Sequence, residues 1–208
     1  MLGRRIPFIA QEGALPMALV AVAGILLYAY LNPWLSIVPL ALLVLLFLLF
    51  RDPRRPVRAV ALGIVSPVDG NVIAVEKTDD CVVQGQAYRI RIRINAHGAY
   101  TARSPVEGKV MNLRAHVAES GRECPANAMW LVTDEGDNVI LQFSGHRLGL
   151  APRAFVGFGE RIGQGHRCAY LRLSRYADVY LSSAGRVHVQ PGDYVLAGSD
   201  LLGTVPHA

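Results

Sequence analysis

Two runs without a charged side chain, residues 14–31 and 34–50, begin this 208-residue chain and restrict its fold more than anything after them. As a helix rising about 1.5 Å per residue, each is roughly 26 Å long, close to the ~30 Å hydrocarbon core of a bilayer. Asn32-Pro33 between them is a turn signal. A secretory signal has one short apolar core and then a polar mature chain, whereas here a second apolar run follows at once. Uncharged runs of this length are also uncommon in soluble cores. The pattern predicts an N-terminal membrane anchor over residues 1–50, a helical hairpin (14–31 and 34–50) that crosses the bilayer or dips into it. Arg4 and Arg5 precede the first run, Arg51, Arg54, Arg55 and Arg58 follow the second, and the turn between is uncharged. Positive flanks stay on the cytoplasmic side. The expected location is therefore the cell (inner) membrane, with the downstream domain facing the cytoplasm.

Residues 51–62 read as a stiff, basic juxtamembrane linker, and residues 63–208 as one domain of ordinary size. The arginine cluster supplies much of the net charge of +5, which suits an anionic leaflet. No basic stripe is interleaved with aromatic residues, so nucleic acid is not an expected partner. Cys81, Cys124 and Cys168 are odd in number and lack metal-ligand spacing, as do His116, His146, His166, His188 and His207. The cysteines read as reduced core thiols, and no metal is expected.

After residue 60 there is no helical period of convincing length. Short β-type runs closed by Gly or Pro cover 71–76, 88–94, 109–113, 130–133, 139–143, 177–181 and 194–197. In 88–94 arginines alternate with apolar residues, so Arg89, Arg91 and Arg93 share one face of a strand. They read as the solvated face of an edge strand, or alternatively as a row of cations for a lipid phosphate. Ser66-Pro67-Val68-Asp69-Gly70-Asn71-Val72 is echoed by Ser104-Pro105-Val106-Glu107-Gly108-Lys109-Val110, and a further Pro-Gly turn precedes 194–197. Each is a tight turn leading into a strand, and Glu107 reads as a turn residue only. Repeated units of this kind fit a small sandwich that pairs two similar halves.

The ordered set Ile9-Ala10-Gln11-Glu12-Gly13, Phe50-Arg51-Asp52-Pro53, the two turn motifs with Arg103 before the second, Gly159-Glu160-Arg161-Ile162-Gly163 and Asp178-Val179-Tyr180-Leu181 resembles the short, membrane-anchored phosphatidylserine decarboxylases. The resemblance covers nearly the whole chain. It implies a mostly β fold, a lipoyl/biotinyl-like β-sandwich (barrel-sandwich hybrid) behind the α-helical membrane hairpin. It also implies a carboxy-lyase of phospholipid metabolism that makes its own cofactor. In such enzymes a serine attacks the carbonyl of the glycine before it, the chain splits, and a pyruvoyl group is left on the new N-terminus. That carbonyl takes the amine of phosphatidylserine and serves as the electron sink for loss of carbon dioxide. Activation of the serine calls for a histidine oriented by an aspartate. The implied partners are a phospholipid membrane and an aminophospholipid head group.

Carried over residue by residue, the family aspartate falls on Asp69 and the family histidine on Tyr100. His97 lies three positions before Tyr100, an odd step that on a strand turns it to the opposite face unless a bulge intervenes. Where the family has Phe-Gly-Ser, this chain reads Leu171-Arg172-Leu173-Ser174-Arg175. An ungapped count places Ser174 on the glycine and Arg175 on the serine. With one inserted residue Ser174 takes the place of the serine and Leu173 that of the glycine, whose missing Cβ eases both strain and attack. Either way the Gly-Ser bond is absent. The family segment rich in Glu, Asn and Arg is poorly matched by 120–127, and Gly198-Ser199 reads as a β-turn. Three readings stay open. The first is a divergent or inactive relative, a pseudoenzyme that binds aminophospholipid or pairs with an active paralogue. The second is an active pyruvoyl-dependent decarboxylase cut between Leu173 and Ser174. The third is an unrelated membrane-tethered interaction module. A homo-oligomer is compatible with each.

Overall fold

A computed structural model describes residues 8–53, 57, 60–80, 85–95, 97–111, 128–145 and 151–206. Cys81, Cys124, segment 120–127, Arg4, Arg5, Arg54, Arg55, Arg58, His116, His146 and His207 lie outside the described residues. The protein is mostly β, with 39% strand and 22% helix, and it divides into two compact units, residues 1–54 with 96–100, and 55–95 with 101–208.

In the first unit, α1 (Gln11–Tyr30) and α2 (Ile37–Leu49) are joined by a 3-10 turn over Pro33–Ser36. The turn forms where the sequence signal lies. Asn32 Oδ1 accepts from the amide of Trp34 at 3.0 Å, and the Ser36 hydroxyl donates to the Pro33 carbonyl at 2.6 Å. Glu12 in the first turn of α1 suits the positive end of the helix dipole. α1 is long and apolar enough to cross a membrane, and the apolar stretch 33–49 is shorter. Leu15, Leu19, Ile25, Val38 and Leu45 are all exposed, which in water would be an unfavourable surface for helices so apolar.

Among the described residues the second unit contains fourteen strands, all paired antiparallel. They are β1 (Gly63–Val65), β2 (Gly70–Asp80), β3 (Gly85–Ile94), β4 (Thr101–Arg103), β5 (Gly108–Met111), β6 (Ala128–Val132), β7 (Asn138–Ser144), β8 (Arg153–Ala154), β9 (Arg161–Ile162), β10 (Arg167–Tyr170), β11 (Tyr176–Ser182), β12 (Arg186–Val187), β13 (Tyr194–Val195) and β14 (Leu201–Thr204). An eight-stranded sheet runs β13-β2-β3-β11-β7-β6-β5-β9, beside two small sheets, β1-β14-β12 and β4-β10-β8.

These orders map onto themselves under an internal two-fold: β1, β2, β3, β11, β12, β13 and β14 correspond to β4, β5, β6, β7, β8, β9 and β10. The hydrogen bonds repeat the correspondence. Val65 N donates to Pro105 O at 2.9 Å, and Arg103 N to Pro67 O at 2.8 Å. The hydroxyls of Ser66 and Ser104 each donate two residues ahead, to Val68 O and Val106 O, at 2.7 Å. Gly198 N meets Ser66 O, and Gly165 N meets Ser104 O, both at 2.8 Å, and both glycines have φ of 72°. The two similar halves expected from the repeated turn motif are present. Their order in the chain is not a simple tandem, because β4–β10 stand as a block between β3 and β11.

The core comprises Ile64, Val68, Ile90, Ile92, Leu131, Leu141, Val179, Leu181 and Leu202, with neighbours from every larger strand. Strand β3 lies between β2 and β11, which corrects the edge-strand reading of its arginines. Arg89 is bonded to Glu76, and Arg91 to Asp178. Two of the three cations are thus neutralised within the sheet, so the row reading for a lipid phosphate loses its charge.

Candidate functional site

The nested order leaves two connections that cross between the halves, residues 95–100 from β3 to β4 and 171–175 from β10 to β11. Three of the four residues singled out from sequence lie on them: His97 and Tyr100 on the first, Ser174 on the second. The fourth, Asp69, lies where both meet the sheet. Asp69 O accepts from Asn95 N at 2.8 Å, and Ile94 N donates to Arg175 O at 2.8 Å. The start of one crossover and the end of the other are therefore neighbours of Asp69 through backbone bonds.

Asp69 is 1% exposed and its Oδ1 accepts from the amide of Ala197 at 2.8 Å. Its two-fold mate Glu107 is in solvent, 3.2 Å from Arg161. Equivalent turns thus bury one carboxylate and expose the other. Burial of a carboxylate is tolerated when donors reach it, and here the Leu196–Ser199 turn supplies one. Gly198-Ser199 does form a turn, as the sequence suggests, with Ser199 N donating to Leu196 O at 3.2 Å. Arg103, also 1% exposed, donates through Nη1 to Gly165 O at 3.0 Å, and its Cδ fills the space beside Gly198. One buried arginine side chain thus reaches the matching glycine turns of both halves.

On the second crossover, Arg172 (φ 45°) and Leu173 (φ 65°) are consecutive left-handed residues other than glycine. Such a conformation costs an L residue with a Cβ roughly 1–2 kcal/mol. Ser174 is buried. Its amide and hydroxyl both donate to the carbonyl of Leu171, at 3.0 and 2.6 Å. Sequence reasoning places a β-carbon at Leu173 as an obstacle to a strained backbone; the chain takes the strained conformation nevertheless.

On the first crossover, 97–100 is a turn and β4 begins at Thr101, so the strand-face argument that separates His97 from Tyr100 does not apply. His97 is exposed. Tyr100 is half-buried, its ring centroid 4.8 Å from that of Phe50. Its amide donates to Arg51 O at 3.1 Å, and its hydroxyl to Glu12 Oε2 at 3.0 Å. Glu12 was missed by sequence reasoning. The available signal is that it is the last charge before the apolar run.

Strand β11 leaves the second crossover with Asp178, 1% exposed and held by a two-point bond from Arg91, Nε to Oδ1 at 2.7 Å and Nη2 to Oδ2 at 3.0 Å. The hydrogen bonds that Arg91 donates to Asp178 raise its pKa above the ordinary value. The β10 thiol of Cys168 is fully buried, and burial pushes its pKa to about 12. A thiol with no thiolate at working pH does not react. Native protein is expected to leave Cys168 unalkylated by iodoacetamide at pH 8, with labelling in urea, read by peptide mass. Labelling of the native chain at Cys168 would show that β10 opens. Among the described residues no three His, Cys, Asp or Glu side chains gather as a metal site.

The chain is 34% identical over 208 residues to the phosphatidylserine decarboxylase proenzyme of Nitrosomonas europaea, spanning 94% of both chains. It is 32% identical to the proenzyme of the same name from Nitrosomonas eutropha, again over 94% of both. It is also 32% identical to that of Burkholderia ambifaria, over 94% of this chain and 95% of the relative. Among solved structures, glucose permease IIA from Mycoplasma capricolum aligns at a TM-score of 0.46 and 18% identity, over 68% of this chain and 94% of that one. No protein-family model matches the chain.

Proposed function

The chain belongs to the phosphatidylserine decarboxylase family, and from that premise we propose a membrane protein of phosphatidylethanolamine metabolism that binds aminophospholipid without processing itself. The observation that carries this reading is Ser174. Leucine precedes it, and its hydroxyl is donated to the Leu171 carbonyl at 2.6 Å. A serine that cuts its own chain needs an open carbonyl before it and a base to take its proton. Here an isobutyl side chain flanks the carbonyl. The family's histidine is replaced by Tyr100, whose hydroxyl is donated to Glu12. These residues do not fit formation of a pyruvoyl group. The apolar hairpin with its arginine flanks supports an inner-membrane location with the β domain on the cytoplasmic side. The matched halves support a barrel-sandwich hybrid of the lipoyl type.

A second reading has its own observation. Two consecutive left-handed residues before Ser174 store strain at the bond the family cuts, and strain of this kind gathers at functional sites. In that reading the chain is an active decarboxylase cut between Leu173 and Ser174. Family membership removes the third possibility, an unrelated scaffold. Intact mass under denaturing conditions tests the proposal. One species of 22.6 kDa is the expected result. Two fragments, the smaller beginning at position 174 with a pyruvoyl group, would overturn it in favour of the active enzyme.

A further inference from the structure

Residues 13–50 contain no charge, and the hairpin they form has a closed base and a defined length. The base is pinned by the antiparallel bridge of Ile9 and Arg51, with Ala10 N on Phe50 O at 2.9 Å and Asp52 N on Phe8 O at 2.8 Å. Both arms therefore start at one level. α1 has 20 residues and rises about 30 Å. The returning arm, four residues of 3-10 turn and the 13 of α2, covers roughly 28 Å. Gly13 lies against Phe50 and Gly24 against Pro39, so the arms stay together from the base to beyond their middle.

Such a hairpin can lie flat on a bilayer, dip into it or cross it, and its surface separates the three. A helix lying flat in the head-group zone needs a polar face. Neither arm has one, since from Gly13 to Phe50 the exposed side chains of both helices are aliphatic or aromatic. A dip would leave the tip in hydrocarbon, where backbone groups must be satisfied internally. The tip fails this test. The last four carbonyls of α1, from Leu27 to Tyr30, have no partner inside the helix. The Leu31 amide meets the first at 3.1 Å, and among the described residues no donor reaches the other three. The polar side chains of the turn are engaged elsewhere, Asn32 on the Trp34 amide and Ser36 on the Pro33 carbonyl. Those three carbonyls call for water. Beside them in the chain are Tyr28, Tyr30 and Trp34, which are 65%, 80% and 77% exposed. Each has an apolar body and a polar tip, the type that gathers at the boundary of membrane and water.

We infer that the hairpin crosses the whole bilayer and that Tyr28, Tyr30 and Trp34 hold its tip at the far interface, among the head groups of the opposite leaflet. Two arms of this length match a hydrocarbon core of about 30 Å, and a turn without charge meets no barrier to crossing. The inference rests on the reading that the hairpin is a membrane anchor with both ends on the cytoplasmic side. It adds a contact surface on the other side.

Labelling of the full chain in spheroplasts with a membrane-impermeant maleimide tests it, with cysteine placed at the exposed tip residue Leu35 or at the exposed Gly157 of the β domain. Peptide masses separate these positions from the chain's own three cysteines. Leu35→Cys is expected to label in intact spheroplasts, and Gly157→Cys only after lysis. A Leu35→Cys chain labelled only after lysis overturns the crossing in favour of a hairpin on the cytoplasmic face. One labelled only in detergent overturns it in favour of a dip into hydrocarbon. Either result leaves the anchor itself standing. Gly157→Cys labelled in intact spheroplasts overturns the orientation on which the inference rests, and extraction of the chain by carbonate overturns the anchor. A second measurement needs no cysteine. In proteoliposomes, the emission lost in Trp34→Phe is expected to be quenched by lipid bromines near the head groups more than by bromines near the chain ends. The reverse order places the tip at mid-depth and overturns the crossing.

Discussion

Alanine at Gly70 is expected to abolish the folded β domain. A Cβ built there lies 2.0 Å from the carbonyl oxygen of Arg93 and 2.8 Å from its carbon. Both are backbone atoms of the strand that pairs with Gly70, through Gly70↔Ile94, so no side chain can rotate away. Relief requires β2 and β3 to part at the residue next to Asp69. A shift of paired backbone belongs with the most damaging point substitutions, above about 4 kcal/mol, against a total stability of roughly 5–15 kcal/mol. The internal two-fold makes the expectation double. Gly108→Ala meets Val132 O at 2.3 Å and should fail in the same way. Gly157→Ala, whose Cβ comes no nearer than 3.8 Å to Glu160, should be close to neutral. Thermal unfolding of the three variants in detergent decides it, and a folded Gly70→Ala protein with an unchanged midpoint would refute the close approach of the strands.

Arg91→Met is expected to cost about 3–5 kcal/mol, the loss typical of leaving one partner of a buried ion pair uncompensated. Asp178 is 1% exposed and takes both bonds from this guanidinium, so methionine leaves a carboxylate inside the sheet without its cation. For a domain of this size the midpoint should fall by roughly 10 °C. The discriminating measurement is the double variant Arg91→Met with Asp178→Leu. Removing both charges of a buried pair is often neutral or stabilising, so the double variant should regain most of the lost midpoint. A double variant as unstable as the single one would mean that Asp178 is held by something other than Arg91.

The hairpin was legible because absence of charge over the 38 residues 13–50 is a signal that needs no partner to interpret, and the Asn32-Pro33 turn falls where expected. The alternating strand 88–94 was legible for a similar reason: period-2 patterning is local. Its place in the sheet was not. Whether a strand with three arginines is an edge depends on which strands flank it, and β11 comes more than eighty residues later. The cation row failed for the same reason, since Asp178, the partner of Arg91, is 87 positions away.

At the candidate site, the turn motif located Asp69, yet an aspartate and a glutamate in near-identical motifs looked alike on paper. The Ala197 amide, brought in by the other end of the chain, is bonded to the buried Asp69, whereas Glu107 is solvated. Leu173 shows the limit from the other direction. Residue type argued against a left-handed backbone, and the connection between two rigid strands imposed one, because tertiary constraints of several kcal/mol outweigh a local preference of about 1–2 kcal/mol.

The sequence by itself determined the elements governed by local rules: an apolar helical hairpin, strands of alternating pattern, and paired turns announcing two similar halves. Only the tertiary structure decided that one half is inserted within the other, that Asp69 lies beside both crossings, and that Tyr100 is bonded to Glu12 at the base of the hairpin. These are contacts between residues far apart in the chain, whose energies arise on packing and leave no periodic trace in the order of amino acids.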